Sequence, residues 1–214
     1  MDLSDIQSAK RLTPPKVLIY GGPKVGKSTF AAGAPSPVAI QLEEGLSSID
    51  IPAFPLASSW AEVLSCVEAL AEPHEFRTVV VDSLDWLEPL IWAEVCRVGK
   101  VDSIEQVGGG YGKGYVETVK LWREFLDGMD WLRSRGMTPI LIAHDEVRKI
   151  EPVDGEPYEQ AGIKLHKRAA GLVTEWADVI GYARSKHSLV GDPKKQTGAV
   201  STGQRVLCVG QRPA

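Results

Sequence analysis

Short runs of apolar, mostly β-branched or aliphatic residues recur along the chain, with more polar segments between them. Near-continuous apolarity is typical of strands that are buried on both faces, as in a parallel sheet. We predict five such strands, at residues 17–20, 38–41, 78–81, 139–143 and 178–182. A further run at residues 205–210 predicts one more strand at an edge of the sheet.

Apolar residues at i, i+3 and i+4 spacing predict amphipathic helices between these strands. The first helix follows Ser59, which forms a capping-box pattern with Glu62. A second contains Pro89, which a helix tolerates in its first turn. The apolar stripe of this second helix spans residues 84–95, and those of two further helices span residues 119–129 and 165–176. Strands that alternate with helices predict the α/β class, with a mainly parallel twisted sheet flanked by helices.

Two long connections and the N-terminal segment lack the pattern of a packed core. Residues 99–115 contain six glycines, and residues 145–164 are rich in charge and contain two prolines. Loops of this length inside a compact domain are usually functional or disordered. Residues 1–15 are polar and end in two prolines, so we predict an N-terminal arm there.

Composition and charge narrow the class of protein. With 214 residues, 43% of them hydrophobic and 24% charged, the chain is typical of one soluble α/β domain. A net charge of −4 excludes a basic field over the whole molecule, so any contact with nucleic acid must come from a local patch. Three cysteines without metal-ligand spacing, no secretory h-region and no long apolar run predict a cytoplasmic protein without membrane contact.

The strongest chemical signal is a phosphate-binding loop between the first predicted strand and a helix. It consists of Gly21, Gly22, Pro23, Lys24, Val25, Gly26, Lys27 and Ser28, and it matches G-x-x-x-x-G-K-[ST]. The glycines let backbone N–H groups point at phosphate oxygens, and the helix N-terminus favours negative charge. We expect Lys27 to reach the β- and γ-phosphates of ATP, Ser28 to bind Mg²⁺, and Thr29 to contact the α-phosphate.

A carboxylate follows the third predicted strand, where the sequence is TVVVDS. Ligands of open α/β sheets lie at the carboxyl ends of the strands. Asp82 is therefore a candidate second Mg²⁺ ligand, and the alternative is a cap for the following helix. Asp85 is expected in the first turn of that helix.

ATP hydrolysis also requires a group that orients water near the γ-phosphate. Glu43 and Glu44 directly follow the second predicted strand, and either carboxylate has this role or is simply a solvated loop side chain. His144 ends the fourth strand, where it contacts the γ-phosphate by hydrogen bonding or has a structural role.

This order of motifs resembles that of RecA-like ATPases, and more closely the short RecA-core proteins of bacteriophages. Those proteins are grouped as phage AAA-type nucleotide-binding proteins and are linked to single-strand annealing and recombination. The resemblance covers nearly all of the chain after residue 15. The segments that carry it are GGPKVGKSTFA, LEEGL, TVVVDSLDWL, GGGYGKGY, LIAHDEVRKIEP, KLHKRAAGLVTEWADVIGYA and RVLCVGQRPA.

The resemblance implies one RecA-like P-loop ATPase domain over residues 16–214, truncated at its C-terminus, because family members continue past the final QRPA. It aligns Glu43 with the catalytic glutamate, while Gln41 replaces an acidic residue of the family pattern. His144 stands where RecA-like enzymes have a glutamine that couples the γ-phosphate to a DNA loop. The two DNA-facing loops would be residues 99–115 and 145–164.

Candidate DNA contacts combine aromatic rings with cations, which suits sequence-independent binding of single strands. They are Tyr111, Lys113 and Tyr115 on the glycine-rich segment, and Arg148, Lys149, Lys164, Lys167 and Arg168 further on. The alternative for each cation is ordinary solvation. One of Lys167, Arg168 or Arg205 could instead reach the ATP of a neighbouring subunit, because RecA-like cores form rings or filaments with ATP near subunit interfaces.

The resemblance therefore implies a DNA-stimulated, Mg²⁺-dependent ATPase in the cytoplasm, which is the host cytoplasm if a phage encodes it. Its expected partners are single-stranded DNA, further copies of the chain and a single-strand-binding protein. One alternative is a nucleotide-switched assembly or packaging factor that acts on a protein partner. Another is a small-molecule kinase, although the sequence lacks an arginine-rich lid.

Overall fold

The computed structural model describes residues 13–152, 155–190 and 198–209. Most of the predicted N-terminal arm and the final QRPA lie outside these residues. The strands are β1 (Val17–Gly21), β2 (Pro37–Gln41), β3 (Thr78–Asp82), β4 (Thr138–Ile150), β5 (Tyr158–Ile163), β6 (Val179–Val190) and β7 (Gly198–Val209). The helices are α1 (Lys27–Ala32), α2 (Trp60–Ala69), α3 (Leu84–Gly99), α4 (Lys113–Ser134) and α5 (Lys167–Trp176).

The strands form one sheet in the order β2-β3-β4-β1-β6-β7, and β5 pairs with the distal part of β4. Strands β2, β3, β4, β1 and β6 pair in parallel, whereas β7 pairs with β6 in the antiparallel direction. This arrangement confirms the predicted α/β class, the five parallel strands and the additional edge strand. The fifth predicted strand is less buried than expected, because Val179 of β6 is exposed.

Both faces of the parallel sheet are covered, which explains the near-continuous apolar runs. Val79 and Val81 pack into the larger core with helices α2 to α5, while Val80 packs into a smaller core with Ala31 of α1. Because side chains alternate across a strand, a strand covered on both faces needs apolar residues at every position. Trp122 is fully buried in the larger core.

The carboxyl ends of the parallel strands meet at one edge of the sheet. Gly21 at the end of β1 is in register with His144, and Gln41 is in register with Asp82. The residues that directly follow β1, β2 and β3 therefore gather around the same cleft, as the rule for open α/β sheets requires.

Two predictions about local structure were wrong. Residues 145–164 form mostly a β-hairpin, in which β4 runs past the sheet to Ile150 and pairs with β5. Backbone pairing satisfies the N–H and C=O groups of this segment although many of its side chains are solvated. Pro89 lies in the second turn of α3, which begins at Leu84, rather than in the first turn.

The glycine-rich connection is shorter than the sequence predicted, because α4 already begins at Lys113. Gly114 is buried in the first turn of this helix, where a Cβ would lie 2.1 Å from the carbonyl oxygen of Ile104. Only glycine permits this close approach, so the residue reflects helix packing and not a flexible loop. None of the helices in the described ranges has the length and hydropathy needed to cross a bilayer.

Candidate nucleotide-binding site

The phosphate-binding loop connects β1 to α1 and holds a buried lysine. Gly26 caps α1 with φ 101°, a left-handed conformation that favours glycine. Lys27 is 6% exposed, and its Nζ donates to the carbonyl oxygens of Gly21 at 2.8 Å and Gly22 at 3.0 Å. Burial lowers the pKa of Lys27, and the nearby carboxylates of Asp82 and Asp85 oppose that effect.

The two candidate Mg²⁺ ligands are in direct contact. The Ser28 hydroxyl donates to Asp82 Oδ2 at 2.6 Å, and Asp82 is 4% exposed. Burial raises the pKa of Asp82, although the hydrogen bond from Ser28 lowers it. Oxygen donors of this kind suit Mg²⁺, and their proximity lets both reach one ion. When bound there, Mg²⁺ would neutralise charge on the phosphates.

The two glutamates that follow β2 differ in their surroundings. Glu43 Oε1 accepts a hydrogen bond of 2.6 Å from the Ser83 hydroxyl, whereas Glu44 is exposed. Gln41, which replaces an acidic residue of the RecA-like pattern, donates through Nε2 to the Phe54 carbonyl oxygen at 2.8 Å. Gln41 therefore stabilises the segment after β2. Of the two glutamates, Glu43 is the one whose carboxylate is held in position by a hydrogen bond.

His144 has a partner that the sequence did not assign. Its Nδ1 lies 2.9 Å from Asp85 Oδ2, and its backbone N–H donates to Asp85 Oδ1 at 3.0 Å. The imidazole also lies 3.9 Å from Glu43 Oε1. The hydrogen bond to Asp85 raises the pKa of His144. Burial raises the pKa of Asp85, but the bonds from His144 outweigh it and the net effect is a lowered pKa.

The Asp85→Asn substitution is expected to shift the titration of His144 to lower pH. The carboxylate holds the imidazolium form to a higher pH in the wild type, because the pKa of His144 is raised, and a neutral amide removes that stabilisation. NMR of the histidine ring protons between pH 5 and 9 measures the shift, and His144→Gln assigns the signal. An unchanged titration in the Asp85→Asn protein would contradict this coupling.

One cleft of about 870 Å³ is lined by most of the predicted nucleotide-site residues, although not by Gly21, Gly22 or Val25. It is lined by Lys27, Ser28, Glu43, Asp82 and His144, together with other loop residues. This volume lies in the range of small-molecule sites. Arg205 of β7 also lines the cleft. The sequence analysis considered Arg205 only as a residue that could reach the ATP of a neighbouring subunit.

The candidate DNA contacts near the glycine-rich segment differ in their surroundings. Tyr111 is 101% exposed in the turn before α4, while Lys113 Nζ donates to the Gly108 carbonyl oxygen at 3.0 Å. The Tyr115 ring stacks on His166 with ring centroids 4.2 Å apart, and its hydroxyl donates to Glu105. Tyr115 therefore lies on a helix beside the start of α5, rather than on a free loop.

The basic candidates of the hairpin and α5 also fall into two groups. The Arg148 guanidinium donates to Glu146 and to the carbonyl oxygens of Ile163 and Leu165, so it stabilises the hairpin. Lys149 pairs with Glu151 at 2.9 Å. Three exposed cations lie within two residues of His166 in sequence, namely Lys164, Lys167 and Arg168.

Fold and site together define a P-loop NTPase domain, with the phosphate loop between β1 and α1 and a strand-end carboxylate on β3. A family model described as an AAA domain matches residues 13–214, and the chain belongs to this family. The domain is thus a nucleotide-binding P-loop ATPase domain. The chain is 26% identical over 182 residues to the SPbeta prophage-derived uncharacterized protein YorG of Bacillus subtilis (strain 168). The match covers 83% of this chain and 53% of that relative, so the chain spans about half the relative's length.

Proposed function

We propose that this chain is a Mg²⁺-dependent ATPase that acts on single-stranded DNA in annealing or recombination of the phage type. The observation that carries the ATPase part is the convergence of five side chains on one cleft. They are Lys27, Ser28, Glu43, Asp82 and His144. Together these side chains supply what phosphoryl transfer to water needs: phosphate contact, metal binding, orientation of water and charge near the γ-phosphate.

Glu43 is the residue that we assign to orientation of the attacking water. Its carboxylate is held by Ser83 at 2.6 Å and lies in the cleft that contains the phosphate loop. A carboxylate held in this way can accept a proton or a hydrogen bond from water beside the γ-phosphate. Lys27 stabilises the phosphate charge, and His144 contacts the γ-phosphate from β4, at the point where that strand is level with the end of β1.

Support for an effect on DNA comes from the contacts between His144 and the start of α5. The Lys164 backbone N–H donates to the His144 carbonyl oxygen at 2.8 Å. The His166 backbone N–H lies 3.0 Å from both carboxylate oxygens of Glu88, whose pKa burial raises to about 7. Glu88 and Asp85 lie one turn apart on α3. His144 is therefore connected to residues 164–166 directly, through Lys164, and indirectly, through Asp85 and Glu88 of α3. We expect a displacement of His144 to be transmitted to residues 164–166 by both connections.

The proposed binding surface for single-stranded DNA consists of Tyr115, Lys164, Lys167 and Arg168, and we call it the output surface. Three exposed cations flank His166 in sequence, and the Tyr115 ring stacks on His166. Cations and an aromatic ring match the chemistry of single-strand recognition, in which cations neutralise the backbone and bases stack on rings. Tyr111, Lys113 and Lys149 could extend this surface. The similarity to a prophage-derived protein is consistent with a phage role, in which a single-strand-binding protein is a further partner.

The DNA part of the proposal is tested by a Lys167→Ala/Arg168→Ala protein. We expect its affinity for a fluorescent oligo(dT) strand to fall about tenfold at low salt, and the slope of log affinity against log salt to lose up to about 1.4. We also expect oligo(dT) to raise the ATP turnover of the wild type but to raise that of the variant less.

The matched control is Arg77→Ala/Arg135→Ala. Both arginines are exposed just before β3 and β4, at the opposite end of the sheet from the cleft, and the control also removes two positive charges. Equal loss of DNA affinity in both proteins would indicate a general charge effect and contradict the output surface. Unchanged turnover with oligo(dT), together with no DNA binding by the wild type, would favour a nucleotide-switched assembly factor.

The proposed function includes a homo-oligomer, a ring or filament, with ATP near the subunit interfaces. Particle mass measured with ATP·Mg²⁺, with ADP·Mg²⁺ and without nucleotide tests this part. We expect the mass to increase with ATP, because contacts near the γ-phosphate would differ between the two nucleotides. A monomer under all three conditions would contradict an oligomeric ATPase cycle.

A further inference from the structure

We infer that Arg205 binds the phosphates of ATP in the P-loop site of its own chain. This inference rests on the proposed ATPase function and adds a residue to the site from the opposite side of the phosphate loop. The carboxylates Glu43 and Asp82 come from β2 and β3, which lie on one side of β1 in the sheet. Arg205 comes from β7, which lies on the other side.

The Arg205 side chain lies against the backbone of the phosphate loop. A Cβ placed on Gly26 would be 3.2 Å from Arg205 Nη1 and 3.8 Å from Arg205 Cδ. Gly26 directly precedes Lys27, and the same cleft is lined by Arg205, Lys27 and Ser28. The guanidinium is therefore placed where the loop would hold a phosphate chain.

The pairing of β6 with its two neighbours explains how an edge strand reaches this position. Gly21 at the end of β1 is in register with Ala183, and Ala183 is in register with Leu207 of β7. Leu207 packs into the core on the α1 face of the sheet. Because side chains alternate along a strand, Arg205 points to that same face, level with the loop that follows Gly21.

An irregularity in the β6–β7 pairing lies directly beside Arg205. Arg205 is in register with Ser185, whereas the next pair is His187 with Ser201, so residues 202–204 lie opposite residue 186. The Thr202 hydroxyl donates to the Lys186 carbonyl oxygen at 2.8 Å within this bulge. Bulges bend a strand and redirect its side chains, and they are frequent next to active sites.

The charges in the cleft also support a contact between Arg205 and phosphate. Lys24 and Lys27 supply positive charge at the loop, whereas four acidic side chains line the same cleft, namely Glu43, Glu44, Asp50 and Asp82. In the part of the chain that the structure describes, no salt bridge neutralises the Arg205 guanidinium. A planar guanidinium can donate two parallel hydrogen bonds to a phosphate, which makes arginine well suited to this position.

The test measures binding of a fluorescent ATP analogue, with Mg²⁺, to Arg205→Ala and Arg205→Lys proteins. We expect affinity to fall about tenfold or more for alanine and by less for lysine, which keeps the charge but not the paired donors. Arg184→Ala is the matched control, because Arg184 is an exposed arginine of the same hairpin whose position in the strand points to the opposite face. Thermal unfolding without nucleotide checks that each variant is folded.

Wild-type affinity in a folded Arg205→Ala protein would overturn the assignment of Arg205. If the wild type itself does not bind the ATP analogue, the proposed function fails instead, so the two failures are distinguishable. A loss in Arg184→Ala equal to that in Arg205→Ala would also overturn the assignment, because it would show an effect of the hairpin as a whole.

Mixing two variants decides whether Arg205 acts on its own chain's ATP or on a neighbour's. We expect no recovery of ATP turnover when Lys27→Ala and Arg205→Ala proteins are mixed, because no chain then has both residues. If Arg205 acted on a neighbour, a mixed interface would combine an intact Lys27 with an intact Arg205 and would restore turnover. Recovery on mixing would therefore overturn the inference.

Discussion

Exchanging Glu43 for glutamine is expected to reduce ATP turnover by a factor of about 10²–10⁴ while ATP binding persists. Glutamine has nearly the shape of glutamate, and its amide oxygen can still accept the hydrogen bond that Ser83 donates at 2.6 Å. It cannot accept a proton from water. The variant thus removes the proposed chemistry and keeps the geometry of the cleft.

Glu44→Gln is the matched control, because it changes the adjacent residue in the same way at an exposed position. Turnover is measured as phosphate release under saturating ATP, and binding as the increase in melting temperature that ATP·Mg²⁺ causes. Normal turnover in Glu43→Gln would refute its assignment as the group that orients water. A large loss in Glu44→Gln with normal Glu43→Gln would transfer that role to Glu44.

The sequence predicted the parallel sheet well because the signal depends on single strands. In β3, Val79 and Val81 face one core and Val80 faces the other, so a short apolar run is required whatever the neighbouring strand is. The edge strand β7 was also predicted, although its pairing was not. Strand order and direction depend on contacts between distant segments, which no local pattern contains.

The hairpin at β4–β5 shows where the local rules were applied too narrowly. Its charged and proline-containing sequence predicted a long loop, but backbone pairing between β4 and β5 does not require apolar side chains. The Asp154-Gly155 dipeptide is a common turn signal between paired strands and could have indicated the hairpin. In the glycine-rich segment, Gly114 has a packing role that composition alone cannot distinguish from flexibility.

The parts of the candidate site that lie in short contiguous motifs could be predicted from the sequence, whereas contacts between distant segments could not. The phosphate loop is contiguous in sequence, and the positions of Asp82 and Glu43 at or just after strand ends follow from the strands themselves. The fourth strand was predicted to end before His144, but β4 continues to Ile150, and His144 lies where β4 leaves its pairing with β1. The partnership of Asp85 with His144 joins residues 59 positions apart, and it depends on the order of the strands. Arg205 reaches the cleft because β7 pairs with β6, which places Arg205 two residues before Leu207 on the same face of the sheet.

Exchanging Lys27 for alanine is expected to weaken ATP binding by a factor of roughly 10–100, since a hydrogen bond to a charged group contributes about 1.5–3 kcal/mol. Lys120→Ala is the matched control, because Lys120 is an exposed lysine of α4 that does not line the cleft, and its loss changes the net charge equally. With ATP·Mg²⁺ at about 100 times the dissociation constant, the wild type should melt roughly 5–10 °C higher, whereas Lys27→Ala should show a much smaller increase.

The melting temperature without nucleotide gives the internal check on that result. Lys27 Nζ donates to the carbonyl oxygens of Gly21 and Gly22, while burial lowers the pKa of the lysine. Its hydrogen bonds and its desolvation therefore oppose each other, and we expect alanine to change stability without nucleotide much less than it changes stability with ATP. A Lys27→Ala protein that ATP stabilises as much as the wild type would contradict the phosphate contact. A variant that is unstable in both conditions would show that Lys27 mainly maintains the loop, which would also contradict the assignment.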